Sequence, residues 1–262
     1  MTELDIAGLG IWGEKFSGWN EFSSGLNSGN WQTESNLQPE LIAPRERRRA
    51  LRLVKIAVEV MSQACEMAGL DPSGVATVFS SSMGDMQITD YMCAILAATP
   101  RAVSPTQFHN SVHNAATGYW SIATGSYAPA SAVSAHSHTA PMAFLEAAIQ
   151  VSEEDMPVLL VTQEMAAPVA LTQACPSVQD FSAAFLLAPP GYCSAPIASL
   201  EFAVSHKSAG WPDLPEDLRQ GLASNYGARL LPLLADLASA SRSFNHEFPL
   251  SSHTCLSLSS TK

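Results

Sequence analysis

Two pairs of histidines carry the spacings in this chain that could do chemistry: His109 with His113, and His136 with His138. Histidines four apart on a helix can share a metal ion, so the four together could form a zinc site supporting a metal-dependent hydrolase. Residues 109–113, however, straddle a loop and a helix start, the two pairs are far apart in sequence, and no acidic ligand stands beside them. Ser134 and Ser137 flank His136 and could be read as a serine–histidine pair, but such dyads are assembled in space rather than by adjacency. No GxSxG turn is present. Gly8, Gly10 and Gly13 match the GxGxxG spacing of a dinucleotide loop. That loop needs a helix opening at the third glycine to hold the pyrophosphate, and Glu14-Lys-Phe-Ser-Gly-Trp-Asn20 has no helical pattern. The alternative is a strand whose glycines let a neighbouring element approach closely.

These residues must be positioned by regular elements, and the hydrophobic pattern predicts them. Residues 3–12 read as a buried strand and 13–40 as a long loop rich in Gly, Ser, Asn and Trp. Residues 46–68 read as a helix whose apolar face is Leu51, Val54, Val58, Met61, Cys65 and Ala68, stopped at Gly69. Strands are expected at 75–81, 130–135, 157–163, 181–188, 197–205 and 253–259, with 181–188 and 197–205 joined by a Pro-Pro-Gly turn. Helices are expected at 85–98, 112–125, 138–151 and 216–241, the last broken near Asn225-Tyr-Gly227. Residues 101–111 read as a loop and the Ser-rich end as a frayed tail. The alternation predicts an α/β fold, a sheet with helices on its faces.

Composition bounds the function. The 262 residues are 47% hydrophobic and 14% charged, against about 25% charged in a typical domain. Much of the surface is therefore uncharged, as a partner interface or a neutral monomer surface would be. The net charge of −11 argues against general nucleic-acid binding. Arg45, Arg47, Arg48, Arg49, Arg52 and Lys55 nevertheless cluster, as a solvated helix start or as a dock for an acidic partner. Five cysteines without CxxC spacing predict reduced thiols and a cytoplasmic protein. No signal peptide and no apolar run long enough for a membrane span is visible.

The segment from Ser104 to Glu164 resembles the N-terminal half of β-ketoacyl synthases of the thiolase superfamily. A Ser-Pro loop leads to Asn114-Ala-Ala-Thr-Gly118, a strand ends at Ser134-Ala-His136, and a helix and a closing strand follow. Pro44-Arg-Glu-Arg-Arg-Arg49 and Ala68-Gly-Leu-Asp-Pro72 also look like this family. The resemblance implies a single thiolase-like domain over 1–262, a mixed central sheet with helices on both faces. Residues 1–205 correspond to the ketosynthase N-terminal half, and 206–262 are a shortened extension, so the C-terminal half is missing or truncated. It also implies two losses. The family's nucleophilic cysteine falls at His136, where a thiolate would otherwise be favoured by the helix dipole; an acyl-imidazole would hydrolyse readily. The family's downstream catalytic histidines have no counterpart, since His246 and His253 lack a His-Gly-Thr context.

A scaffold without its nucleophile is similar to chain-length-factor subunits, and more narrowly to short ketosynthase-like proteins of aryl polyene-type gene clusters. The resemblance then implies a non-catalytic partner of an active β-ketoacyl synthase, joined through the strand at 130–135, with an acyl carrier protein as a further partner. Gln107, Phe108 and Ser111, with His113 and Asn114 behind them, would cap the partner's acyl tunnel and set chain length. Arg45, Arg47, Arg48, Arg49 and Arg52 would meet the carrier protein. No cofactor and no metal are expected. The rival is an autonomous acyltransferase or hydrolase using His109, His113, His136 and His138.

Overall fold

A computed structural model describes residues 2–31, 37, 39–239 and 243–261. Parts of the expected 13–40 loop (32–36 and 38), the end of the expected 216–241 helix (240–241) and Lys262 lie outside the described residues. In chain order the elements are β1 (Thr2–Gly13), β2 (Phe16–Ser17), α1 (Trp19–Ser28), α2 (Pro44–Arg47), α3 (Arg52–Ala68), β3 (Ala76–Ser80), α4 (Met86–Ala98), α5 (Pro105–Asn110), α6 (Ala115–Thr124) and β4 (Ala130–Val133). Then come α7 (Thr139–Glu154), β5 (Val158–Glu164), β6 (Phe181–Ala188), β7 (Ala198–Ser205), α8 (Glu216–Leu222), α9 (Leu231–Ala238), β8 (Asn245–Pro249) and β9 (Cys255–Ser260). Short 3-10 turns at His136–His138 and Tyr226–Leu230 matter below.

The strands form one mixed sheet in the order β4-β3-β5-β6-β1-β7-β9-β8, with β2 paired to β1. β4, β3 and β5 run parallel; the other pairings are antiparallel. The longest strand, β1, sits between β6 and β7. A register shift between Ile6 and Gly8 slips the side-chain alternation by one residue. Leu4 and Ile6 before the slip and Leu9 and Ile11 after it therefore enter the same apolar layer, shared with α7 and α9. Ala7 and Trp12 join the opposite layer, built with α3 and α6. Helices thus cover both faces of the sheet.

The glycines of β1 serve packing. A Cβ on Gly8 would lie 2.0 Å from the carbonyl oxygen of Ala64, and one on Gly10 would lie 1.9 Å from that of Val60. No helix opens at Gly13; β1 ends there and turns back into β2. The glycine triplet is thus the seat of α3 and does not form a dinucleotide loop.

Several expected boundaries change. The 13–40 loop contains β2 and α1, because Phe22 is fully buried and Trp19, Phe22 and Trp31 pack with Phe16 into one aromatic cluster. The helix expected from 46 begins at Arg52; a separate turn, α2, is started by Pro44, and the chain is extended at Leu51. The 101–111 loop holds α5, opened by Pro105, a favoured first helical residue. β6 and β7 are successive but not paired, since β1 lies between them. The Ser-rich tail is not frayed through 260: it forms β9, paired to β7 and β8. Strand β8 was not anticipated, because its sequence NHEFP is polar at one end and holds its shape through that pairing.

Candidate functional site

The parallel strands β3, β4 and β5 deliver their carboxyl ends to one place, where the chain leaves β4 and turns sharply into α7. His136 sits at the turn with φ 51°, one of two non-glycine residues with positive φ among those described. That region costs an L-residue about 1–2 kcal/mol, so the surroundings must hold it. Thr139 does so from below: its hydroxyl accepts from Ala135 N–H (2.8 Å) and donates to the His136 carbonyl (2.7 Å). The Ser134 hydroxyl donates to the Ser82 carbonyl at 2.8 Å and ties the turn to the end of β3. The position expected for a nucleophile is thus presented on a strained, exposed turn, but the side chain there is an imidazole.

No cysteine replaces it. Cys65, Cys175 and Cys255 are buried elsewhere, and Cys93 lies on α4. Burial pushes the thiols of Cys65 (to about 12), Cys175 and Cys193 up, opposite to what activates a sulfur nucleophile.

The C-terminal segment closes over the turn. The His136 ring lies 5.1 Å from the Tyr226 ring, and His138 lies 5.6 Å from Trp211. The Arg229 guanidinium sits 4.4 Å over Trp211 and 5.7 Å from Tyr226. His136, Tyr226, Arg229, Trp211 and His138 therefore form a closed aromatic and cationic ring. Burial, then the neighbouring His136 and Arg229, hold the His138 imidazole below its usual range. Tyr226 and Arg229 reach it because the 226–230 turn is clamped to β5. Asn225 donates to the carbonyls of Glu164 (3.1 Å) and Gln179 (2.8 Å) and accepts from Ala228 N–H (3.1 Å). Gly227 lies so close to β5 that a Cβ would fall 2.7 Å from Gln163 and Glu164 backbone atoms. Trp211, Tyr226 and Arg229 were not anticipated; the one sequence signal was the break at Asn225-Tyr-Gly227.

The four histidines do not converge. The His113 Nε2 lies 2.8 Å from the Ser81 carbonyl and its ring packs on Phe79, while His109 packs on Tyr119. Among the described residues no three His, Cys, Asp or Glu side chains are grouped as metal ligands. Among the described residues the four histidines therefore offer no shared ligand set for zinc.

Glu164, at the carboxyl end of β5, links these parts. It is fully buried and accepts from Ser82 N–H (2.8 Å) and the Ser81 hydroxyl (3.1 Å). Burial raises its carboxyl from 4.5 to about 7, against the pull of those hydrogen bonds. Because the folded chain holds this proton more tightly than the unfolded chain, the stabilisation is complete below about pH 4.5. It is lost as pH rises to about 7, by about 3 kcal/mol in all. Glu164→Gln, which stays neutral and can keep the Ser82 bond, is expected to gain on the wild type by about that amount between pH 4.5 and 7.5. Urea unfolding across that range measures the difference; parallel curves for the two proteins would contradict the raised carboxyl.

The expected gate residues lie on α5 and just beyond it. Phe108 is 61% exposed and so is not a core residue of this chain. Gln107 is half-buried, Ser111 donates to the Phe108 carbonyl at 2.8 Å, and Asn114 is exposed at the start of α6. Exposed Leu96, Val112, Ile122 and Tyr127 are further large apolar side chains on α4, α6 and the segments beside them. The residues of β4 alternate between exposed and half-buried, and β4 is an edge of the sheet.

The arginines divide. Arg52 pairs with Asp180 at 2.6 Å and lies 5.0 Å over Trp12, and Arg47 donates to the carbonyls of Glu40 and Ile42. Arg45 and Arg48 are exposed, and Arg49 makes a long surface pair with Glu46 at 4.0 Å. Arg52 is also exposed but is engaged by Asp180, so the basic patch left without a close carboxylate is Arg45, Arg48 and Arg49. No helix among the described residues is long and apolar enough to cross a membrane.

The family described as beta-ketoacyl synthase, N-terminal domain, matches residues 19–253. No curated protein matches the chain. Among solved structures, the chain is similar to "Ketosynthase (ApeO) in Complex with its Chain Length Factor (ApeC) from Xenorhabdus doucetiae", at 20% identity and TM-score 0.68, over 99% of this chain and 100% of that one. It is also similar to the ishigamide ketosynthase/chain length factor, at 13% identity and TM-score 0.73, over 99% of both chains. A beta-ketoacyl synthase from Burkholderia phymatum STM815 matches at 12% identity and TM-score 0.65, over 92% of this chain and 78% of that one.

Proposed function

The chain belongs to the β-ketoacyl synthase N-terminal domain family and has its thiolase-like fold, and from that premise we propose that it is a non-catalytic, chain-length-factor-like subunit. It pairs with an active β-ketoacyl synthase and shapes that partner's acyl tunnel. The observation that carries this reading is the course of β4. An open edge strand runs directly into a nucleophile-type turn whose residue is His136. The turn is retained but cannot form a thioester. The edge offers unpaired backbone groups that a second sheet would satisfy.

The exposure of Phe108 supports the tunnel role, because an aromatic ring left out of its own core is available to a partner's cavity. Gln107, Ser111, His113 and Asn114 stand around it as the wall of that gate, with His113 fixed to the end of β3. On this reading residues 1–262 act as one domain in the cytoplasm, in polyene-type or fatty-acid-like biosynthesis. Arg45, Arg48 and Arg49 meet an acidic acyl carrier protein.

The test is product length in a reconstituted pair. Phe108→Trp and Gln107→Trp are expected to shift products to shorter chains, and Phe108→Ala to longer ones. A misfit of a methylene or so in an apolar pocket is worth about 1–3 kcal/mol, so product ratios should change roughly tenfold or more. Unchanged product lengths across the three variants would remove the gate from α5.

A further inference from the structure

We propose that the ring around the β4–α7 turn is a receptor for a small carboxylate, with Arg229 as its main ligand and His138 as a second donor. Arg229 is half-buried in an acid-rich chain of 24 Asp and Glu against 13 Lys and Arg. Half-buried Arg47 has carbonyl acceptors, and Arg49, Arg52 and Arg219 have carboxylates. Arg229 has neither a side-chain acceptor nor an ion-pair partner among the described residues, and its Nε is closed to water with no hydrogen bond. An N–H withdrawn from water without an acceptor is costly, the more so on a half-buried cation.

Its geometry selects the ligand. Trp211 covers one face of the guanidinium at 4.4 Å, with Tyr226 at 5.7 Å. With Nε enclosed, the donors left to a ligand are the in-plane N–H groups of the two terminal nitrogens, which match a planar carboxylate two on two.

The histidines make the site responsive to protons. The titratable and charged groups facing His138 are His136 on its own turn and Arg229 on the 226–230 turn, with Tyr226 against the His136 ring; Trp211 is neutral, and the Ser137 hydroxyl lies 3.3 Å from the His138 Nδ1. No carboxylate pairs with His138 or Arg229 among the described residues. Burial, and then the charge of His136 and Arg229, disfavour the protonated form of His138 in the empty site. A bound carboxylate offsets that charge, and His138 takes up a proton from solvent as it becomes a donor. By linkage, anion affinity falls as pH rises. This site is independent of pairing through β4, since it needs only groups of this chain.

The test is histidine-ring NMR of the full chain, with its seven histidines, during titration with sodium acetate at constant ionic strength. Saturable shifts of the His136 and His138 signals are expected, with a dissociation constant on the order of millimolar. His138 should titrate at higher pH in acetate, and affinity should be about fivefold or more weaker at pH 8 than at pH 6. Arg229→Gln should abolish saturation, and Arg229→Lys should weaken it, because a point charge lacks the planar fork. Shifts that stay linear in the wild type, or the same saturation curve in Arg229→Gln, would overturn the site. If Arg229→Gln does not fold, the wild-type titration alone decides between these outcomes.

Discussion

Replacing Ala132 with proline is expected to abolish the proposed pairing with a ketosynthase and to leave this chain folded. The reason lies in the parallel ladder between β3 and β4. Thr77 N–H donates to the Pro129 carbonyl at 2.9 Å. In a parallel pair the bonding residues of a strand alternate, so Ser131 and Val133 face β3. The N–H groups of Ala130 and Ala132 point to the open edge. Proline at 132 therefore removes a donor that this chain does not use and that an added strand would need, and its ring obstructs the incoming backbone. Leaving the partner's carbonyl buried without that donor costs about 1–3 kcal/mol, or roughly fivefold to 100-fold in affinity before the clash of the ring is added. Co-purification with the partner should fail, while the melting temperature of the isolated variant should stay within about 4 °C of wild type. Ala132→Lys places a charge on the same exposed edge and should give the same result. Full co-purification of both folded variants would mean that the partner does not use β4.

What could be read in advance follows the range over which each feature is determined. Strands β1, β3, β5 and β6 were legible as apolar runs, because each is buried along most of its length; β7 was legible although only Leu200 and Phe202 in it are buried, and α3 and α7 carry helical periodicity. Helix α1 was not, because WNEFSSGLNS is a poor helix former. It exists because Phe22 is drawn into an aromatic cluster with Phe16 and Trp31, and Trp31 packs over Gly25. The turn at His136 was legible through the family resemblance. The ring around it was not, because Trp211, Tyr226 and Arg229 arrive from the far end of the chain and are placed by Asn225 and Gly227 against β5. A helix break in the sequence gave no indication of what it would bring to the turn. The arginine cluster shows the opposite failure: neighbours in sequence, Arg47 is bound to backbone carbonyls and Arg52 is tied to Asp180 while still exposed, and Arg45, Arg48 and Arg49 are left at the surface without such ties.

The largest loss of stability is expected at the seat of α3. Gly8 and Gly10 lie on one face of β1, two residues or about 6.6 Å apart. Val60 and Ala64 lie one helical turn apart, about 6 Å. The spacings match, so two successive carbonyl oxygens of α3 rest on two glycines of the strand. The atoms an added methyl would meet are backbone: the Val60 carbonyl oxygen at 1.9 Å and its carbon at 2.8 Å for Gly10, the Ala64 carbonyl oxygen at 2.0 Å for Gly8. No side-chain rotation relieves this; the helix must lift from the sheet, opening the layer that holds Leu53, Val54, Ala57 and Met61. Gly10→Ala should therefore cost at least about 3 kcal/mol, at the upper end for overpacking. Against a typical stability of about 5–15 kcal/mol, Gly8→Ala with Gly10→Ala should leave no cooperative unfolding transition. Gly118→Ala is the internal control. Gly118 is exposed in α6, and nothing lies within 4 Å of an added Cβ. That change should stabilise the chain by about 0.5–1 kcal/mol, since alanine is the better helix former. Thermal melts of the three variants separate steric approach from glycine content as such: equal, small effects at Gly10 and Gly118 would mean that α3 does not sit on β1 as described.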